Sequence, residues 1–412
     1  MTPSSMRSPR PSPATGRGFT LVELMIAMAV GLIIALAITG TVLTTGRQLK
    51  VVGSTSGAQS NALIALSAMD AAGRSAGAGL FANGSLICPT LNAWKDGAVK
   101  SNGAVLMPAS ITDGGSNTAS DTIVFTAAGS AGALSGMPLV DQMTSATGSI
   151  VVSNAGALAA NDLALVGAPG SNQPCTLFQV TSAPSVGTSC AGNATSCRTI
   201  PRATNSSTGY NPAASPYTAS PLFGFANDMG ASPPVYGPAV VTRLGTSFRR
   251  DAFAVQCDSL VQYDAFELAA LPSCTAPVTF GTGVNAMATD VVQMHAQYGI
   301  SASVGSDVVA SWVDASGATW AAPTAANVNL IKAVRVVVVT RSKEPEGTLV
   351  TAASCTNSNG VVNAGPCSFD DAAAPAIDLS ALSVPSGRTW RNYRYRVHKV
   401  VIPLRNVIWS TS

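Results

Sequence analysis

The chain has 412 residues, 47% hydrophobic and 10% charged, which is enough for one large or two ordinary domains and excludes a miniprotein held only by disulfides. Twenty-three Lys and Arg against 20 Asp and Glu leave a net charge of +3, well short of a dedicated nucleic-acid binder and equally far from an acidic solvating tail. Thirty-eight Gly and 25 Pro with 6% aromatics point to many turns and short strands, while the apolar fraction excludes global disorder.

The first element is an uncharged apolar stretch from Leu24 to Gly46, as long as the roughly 20 residues that cross about 30 Å of hydrocarbon. Arg7, Arg10 and Arg17 lie in the first 18 residues with no acidic residue among them, so the positive-inside bias predicts a cytoplasmic N-terminus and export of everything after Gly46. A secretory signal would have an apolar core of about 7–15 residues and a small-residue cleavage site. The core is longer and no Ala-x-Ala site closes it, although Thr41 to Gly46 is small and polar enough to keep that alternative open beside a plain single-pass anchor. Glu23 does not belong in a plain anchor, because a carboxylate in hydrocarbon costs a few kcal/mol unless it stays at the interface or finds a partner.

The run Gly18-Phe19-Thr20-Leu21-Val22-Glu23-Leu24-Met25-Ile26-Ala27 resembles the class III signal of type IV pilins and type II secretion pseudopilins. The resemblance implies cleavage by a prepilin peptidase after Gly18 and N-methylation of the new terminus, Phe19. It also implies an assembly role for Glu23, which would pair with the terminal amine of a neighbouring subunit.

Beyond the span, Val51, Val52, Ala62, Leu63, Leu66 and Met69 fall at helical spacing, so the helix is expected to continue outward, with a kink or melted turn at Gly53 and Gly57. The Gly- and Ala-rich segment from Ala71 to Gly84 should end it. From Leu86 the pattern turns to short strands: Asp121 to Thr126, Ser149 to Val152, Val308 to Val313, and Ile331 to Thr340, whose valines predict burial on both faces inside a sheet. Between Pro174 and Pro238 the density of Pro, Ser, Asn and Gly predicts extended loops held by cysteines.

Eight cysteines, Cys88, Cys175, Cys190, Cys197, Cys257, Cys274, Cys355 and Cys367, all follow the span, and an even number on the oxidising side favours disulfides. Short separations favour Cys190 with Cys197, Cys257 with Cys274 and Cys355 with Cys367, leaving Cys88 for Cys175; Cys175 could instead pair with Cys190 or Cys197. No Cys-x-x-Cys pair exists and the two histidines, His295 and His398, are isolated, so neither metal nor cofactor is expected. No nucleophile elbow, Walker loop or zinc-protease motif appears, and Asp370-Asp371 in a Pro- and Ala-rich loop reads as a solvated turn, so no enzyme is expected.

Near the C-terminus, Arg388, Arg391, Arg394, Arg396, Lys399 and Arg405 interleave with Trp390, Tyr393, Tyr395 and Trp409, a mixture that could grip single-stranded DNA. Against this, a half-buried edge or terminal strand needs the same alternation, with Tyr393, Tyr395, Val397 and Val401 on one face and Arg394, Arg396 and His398 on the other.

The C-terminal third, with Asp290-Val-Val-Gln-Met-His-Ala-Gln-Tyr-Gly-Ile300, Trp312, Trp320, Ile331-Lys-Ala-Val-Arg-Val336 and Tyr393 to Asn406, resembles the PilW family of type IV pilus minor pilins. Ala76-Gly-Ala-Gly-Leu80 departs from that pattern, which has an aromatic and a cysteine there. The resemblance implies an α+β, pilin-like fold. Residues 1–18 would be the leader and 19–46 the transmembrane half of a long helix. Residues 47–84 would be its periplasmic half and connection, and 85–412 a large β-rich periplasmic head with disulfide-stapled loops. The implied function is that of a structural subunit of the complex that starts pilus assembly and sits at the tip, serving adhesion and twitching motility. Its partners would be other minor pilins, the major pilin, the prepilin peptidase and the inner-membrane assembly platform. A minor pseudopilin of type II secretion and an envelope-anchored adhesin or DNA receptor are the competing readings.

Overall fold

The computed structural model describes residues 20–82, 85–129, 136–141, 143, 148–169, 171, 173–187, 197–204, 209–214, 216–217, 238–268, 270–271 and 280–411. The chain divides into two units, Met1–Ser54 and Thr55–Ser412.

Helix α1 spans Leu21–Ser75. In the first unit, Leu21–Val42 is apolar enough and long enough to cross a membrane and buries none of its side chains. It begins three residues before the stretch expected from the sequence, because Thr20 caps the helix and brings Glu23 into its first turn. Gly53 and Gly57 are both helical, so the expected melted turn is absent. In the second unit, Ala62, Ala65, Leu66, Met69, Ala72 and Ala76 are buried at the spacing of one helix face. The helix ends where Gly77 adopts a left-handed conformation (φ +81°) and donates its N–H to Thr126 O at 2.8 Å.

Two antiparallel sheets clasp this last part of α1. The first contains β1 (Ala109–Thr112), β2 (Thr122–Ala128), β3 (Phe248–Gln256), β4 (Ser259–Asp264) and β5 (Val284–Thr289), in spatial order β5-β4-β3-β2-β1. The second contains β6 (Val291–Ser301), β7 (Val309–Asp314), β8 (Ile331–Arg341) and β9 (Tyr395–Pro403), in order β7-β6-β8-β9. Leu66, Met69 and Ala72 of the helix join Phe125, Phe253, Met294, Val336 and Ile402 of the sheets in one core. The fit is close: a Cβ on Gly73 would lie 2.3 Å from Ile402 Cγ2. The short helix α2 (Arg405–Thr411) follows β9.

Strand β8 is buried along nearly its whole length between β6 and β9, as its run of valines predicts. The segment after Pro174 is not all loop. Cys175–Gln179 is a strand inside a six-stranded sheet, parallel to Thr90–Lys95 on one side and antiparallel to Leu163–Gly167 on the other. Its Leu177 and Phe178 are fully buried; five apolar-rich residues suffice for an interior strand even amid turn-forming sequence. Residues 188–196, 205–208, 215 and 218–237 of that stretch lie outside the described residues.

Candidate functional site

Gly18 and Phe19 lie outside the described residues, and Thr20 is the first residue described. The Thr20 N–H donates to Glu23 Oε2 at 3.0 Å and the Thr20 hydroxyl reaches the same oxygen at 2.9 Å, while the Glu23 N–H donates to Thr20 Oγ1 at 3.3 Å. This is a capping box: two helix-start N–H groups that would otherwise be orphaned find side-chain acceptors. Glu23 is thereby held at the N-terminal end of an apolar helix, and it is the only charged residue of Leu21–Val42. Its second oxygen, Oε1, is not used in the cap.

In the second unit, the face of the β7-β6-β8-β9 sheet turned away from α1 carries a buried polar layer. The Arg335 guanidinium lies between the rings of Trp312 and Phe369, 4.7 and 4.5 Å from their centroids. It donates to both oxygens of Asp371 at 2.5 and 3.0 Å, and its Nε donates to Gln297 Oε1 at 2.6 Å. Gln297 Nε2 in turn donates to Asp314 Oδ1 and to Ala373 O, both at 2.6 Å. Two positions earlier on that face, beyond His295, Gln293 Nε2 donates to Asn117 O and Asp378 O. These bonds fasten the segment after Cys367 across the sheet. Asp371 is the partly solvated turn residue expected, its Oδ1 accepting the Ala373 N–H at 3.0 Å, and it also binds Arg335, which holds its carboxyl below the usual carboxylate range. Sequence reading missed Gln293, Gln297 and Arg335. The available signal was three polar side chains spaced to share a face within strands rich in Val, Met, Ala and Tyr.

His295 lies on that same face beside Asp121, with Nδ1 to Oδ2 at 3.7 Å. His398 lies on the opposite face, half-buried, with Nε2 3.3 Å from Thr340 Oγ1. The face of Arg396 and His398 runs on through Val400 and Ile402 into the core, whereas Val401, expected on the buried side, is half exposed. Strand β9 changes which face is covered along its length: the segment after Cys367 shields Tyr395 and Val397 but stops short of Val401.

The basic and aromatic residues of this end are largely engaged within the molecule. Arg394 pairs with Glu346 at 2.5 Å, Tyr393 is buried beneath the Arg341 guanidinium, and Lys399 lies over the Phe369 ring. Trp390 packs against Tyr395, whose hydroxyl donates to Trp390 O at 2.9 Å. Trp409 is two-thirds exposed.

Cys88 is bonded to Cys175 and Cys355 to Cys367. Cys197 and Cys257 are also disulfide-bonded; Cys190 and Cys274 lie outside the described residues.

Residues 279–406 match the family of Type IV Pilus-assembly protein W, PilW, which covers the whole β6–β9 sheet with its polar layer and ends at Asn406. Residues 15–39 match the prokaryotic N-terminal methylation motif, which contains Thr20, Glu23 and most of the apolar span. Together a PilW domain and a methylation motif support a type IV pilus minor pilin. No curated protein and no solved structure matches the chain. The methylation motif and the apolar helix fit a membrane-anchored pilin, and the PilW domain supports a structural part in pilus assembly among other pilus components. Residues 40–278, between the two matched segments, are described by neither family, and they contribute the outer part of α1 and β1–β4 to the shared core.

Proposed function

We propose that the chain is cut after Gly18 by the prepilin peptidase, methylated on Phe19, and held in the inner membrane by α1 with a periplasmic head. From there it enters the assembly-initiating complex with other minor pilins, ahead of the major pilin on the inner-membrane assembly platform, and rides at the tip of the pilus. Twitching motility and adhesion follow from that position. The observation that carries this reading is Glu23, the lone carboxylate on an apolar helix, inside the matched methylation motif. The cap leaves its Oε1 unused, a carboxylate is costly in hydrocarbon, and the terminal amine of an adjacent subunit would offset that cost.

The test is Glu23→Ala in cells that make pili. The variant is expected to remain in the membrane fraction while pili become fewer; normal piliation would overturn the assembly role. Mass spectrometry of the N-terminal peptide, with and without the prepilin peptidase, reads the processing step. A methylated Phe19 terminus only when the peptidase is present supports it, and an intact leader in both strains overturns it.

A further inference from the structure

Within the PilW domain, an open groove of about 380 Å³ lies on the outer side of the segment that precedes β9. Its apolar lining is Leu349, Leu382, Val384 and Trp390, and its rim carries Arg388 and Arg391. Leu382 and Trp390 rest on the small core of Val337, Val339, Ile377 and Leu379, so the floor is anchored to β8.

The walls are fixed by a dense set of bonds. Asn392 closes a capping box with Thr389 and donates to the Glu346 and Thr348 carbonyls at 3.1 and 3.2 Å. Arg391 Nε donates to Thr351 O at 3.1 Å, and the N–H groups of Val350 and Thr351 both donate to Arg391 O. Arg388 Nη1 leans on the Glu346 and Gly347 carbonyls. A groove pre-formed in this way loses little entropy when it is filled.

The charges are unbalanced. Among the described residues neither Arg388 nor Arg391 has a carboxylate partner, because the Glu346 carboxylate is taken by Arg394. Leu349, at the mouth, is 54% exposed. Aliphatic walls beneath two cations match a segment that presents an apolar side chain next to a carboxylate. A nucleic-acid strand would need a run of free cations and open ring faces, whereas Arg394 is neutralised and one side of Trp390 is packed on Tyr395. We propose that this groove is a docking site for an acidic-apolar peptide segment of a partner protein, a reading that stands on the groove's own chemistry and not on the assembly role.

The test uses the full chain in lipid nanodiscs and fluorescence anisotropy with two labelled, capped probes, Asp-Leu-Phe-Glu and Lys-Leu-Phe-Lys. The acidic probe is expected to bind saturably, at least about tenfold more tightly than the basic one. Arg388→Glu and Leu349→Asp both sit at exposed positions, so the fold tolerates them, and each should weaken the acidic probe about tenfold or more while the thermal melt is unchanged. Equal affinity for the two probes, wild-type affinity in both variants, or no saturation up to about 1 mM overturns the proposal. Binding of an oligothymidylate that Arg388→Glu abolishes, with neither peptide bound, overturns it in favour of a nucleic-acid site.

Discussion

Asn406 Nδ2 donates to the carbonyl oxygen of Ala76 at 2.9 Å and approaches those of Ser75 and Arg74 at 3.3 and 3.4 Å. Past the last turn of α1 the Ser75 carbonyl accepts the Ala78 N–H at 3.0 Å, and a side chain from far along the sequence supplies the donor to the Ala76 carbonyl. Met69 and Ala72 pack with Leu404 and Val407 in the same core, so the first helix and the last segment of the PilW domain close on each other.

Asn406→Ala should therefore destabilise the head by about 1–2 kcal/mol, the cost of taking the side-chain donor away from the Ala76 carbonyl. Asn406→Asp should cost more, because it sets carboxylate oxygens against carbonyl oxygens. Urea denaturation of the full chain in nanodiscs checks both, and an Asp variant as stable as the Ala variant contradicts the assigned geometry.

Much of this was legible beforehand because it is local. The span and Glu23 are written in consecutive residues, and the valines of β8 announce a buried strand without reference to anything distant. Other features depend on residues brought together from far apart. Asp371 is a turn residue as read, but only the fold shows that β8 places Arg335 against it, and Asn406 looks like an ordinary surface amide until α1 ends beneath it. The strand at Cys175–Gln179 was hidden for a related reason: its parallel neighbour Thr90–Lys95 lies more than 80 residues earlier, and the turn-rich sequence around it masked the signal.

The Arg335–Asp371 pair should make stability depend on pH at the acid end. The folded-state pKa of Asp371 is depressed by hydrogen bonds from Arg335, so its contribution is fully present above the unfolded value of about 3.9 and is lost as pH falls through the lower folded value. Asp371→Asn should flatten that part of the stability profile while changing little at the alkaline end. Arg335→Ala should cost about 2 kcal/mol near neutrality, because it strips the partners from Gln297 and Asp371 together.

His398 should titrate below the ordinary histidine value, because burial and the neighbouring Arg396 both disfavour the imidazolium. A depressed pKa means that its contribution to stability is present above about 6.5 and fades as pH falls through the folded value. With two histidines in the chain, the ring-proton resonances give the curve directly. Arg396→Ala should move the titration of His398 upward only in part, since burial is the larger cause and remains.

The two described disulfides close loops of very different length, with sequence separations of 87 for Cys88–Cys175 and 12 for Cys355–Cys367. On chain-entropy grounds, replacing both cysteines by Ala should cost about 4.5 kcal/mol for the first and about 3 kcal/mol for the second. The second pair should also loosen the polar layer, because Asn357, two residues after Cys355, donates to Phe369 O and Asp371 O. Hydrogen exchange should therefore rise around Asp371 in the Cys355/Cys367 variant and not in the other; equal protection in both would separate the bridge from the layer.

Gly299 is the position where the layer is least tolerant of a methyl group. A Cβ there would lie 2.7 Å from the Trp312 ring, which faces Gly299 across the β6–β7 pair and shelters the Arg335 guanidinium. Gly299→Ala must displace the ring, at a cost of about 1–3 kcal/mol, and expose the cation it covers. The cause can be isolated by a double-mutant cycle. In a Trp312→Ala background the obstruction is gone, so the same Gly299→Ala change should cost far less, leaving a coupling energy of about 1 kcal/mol or more. Additive costs would mean that Gly299 is required by the backbone of β6 and not by the ring lying over it.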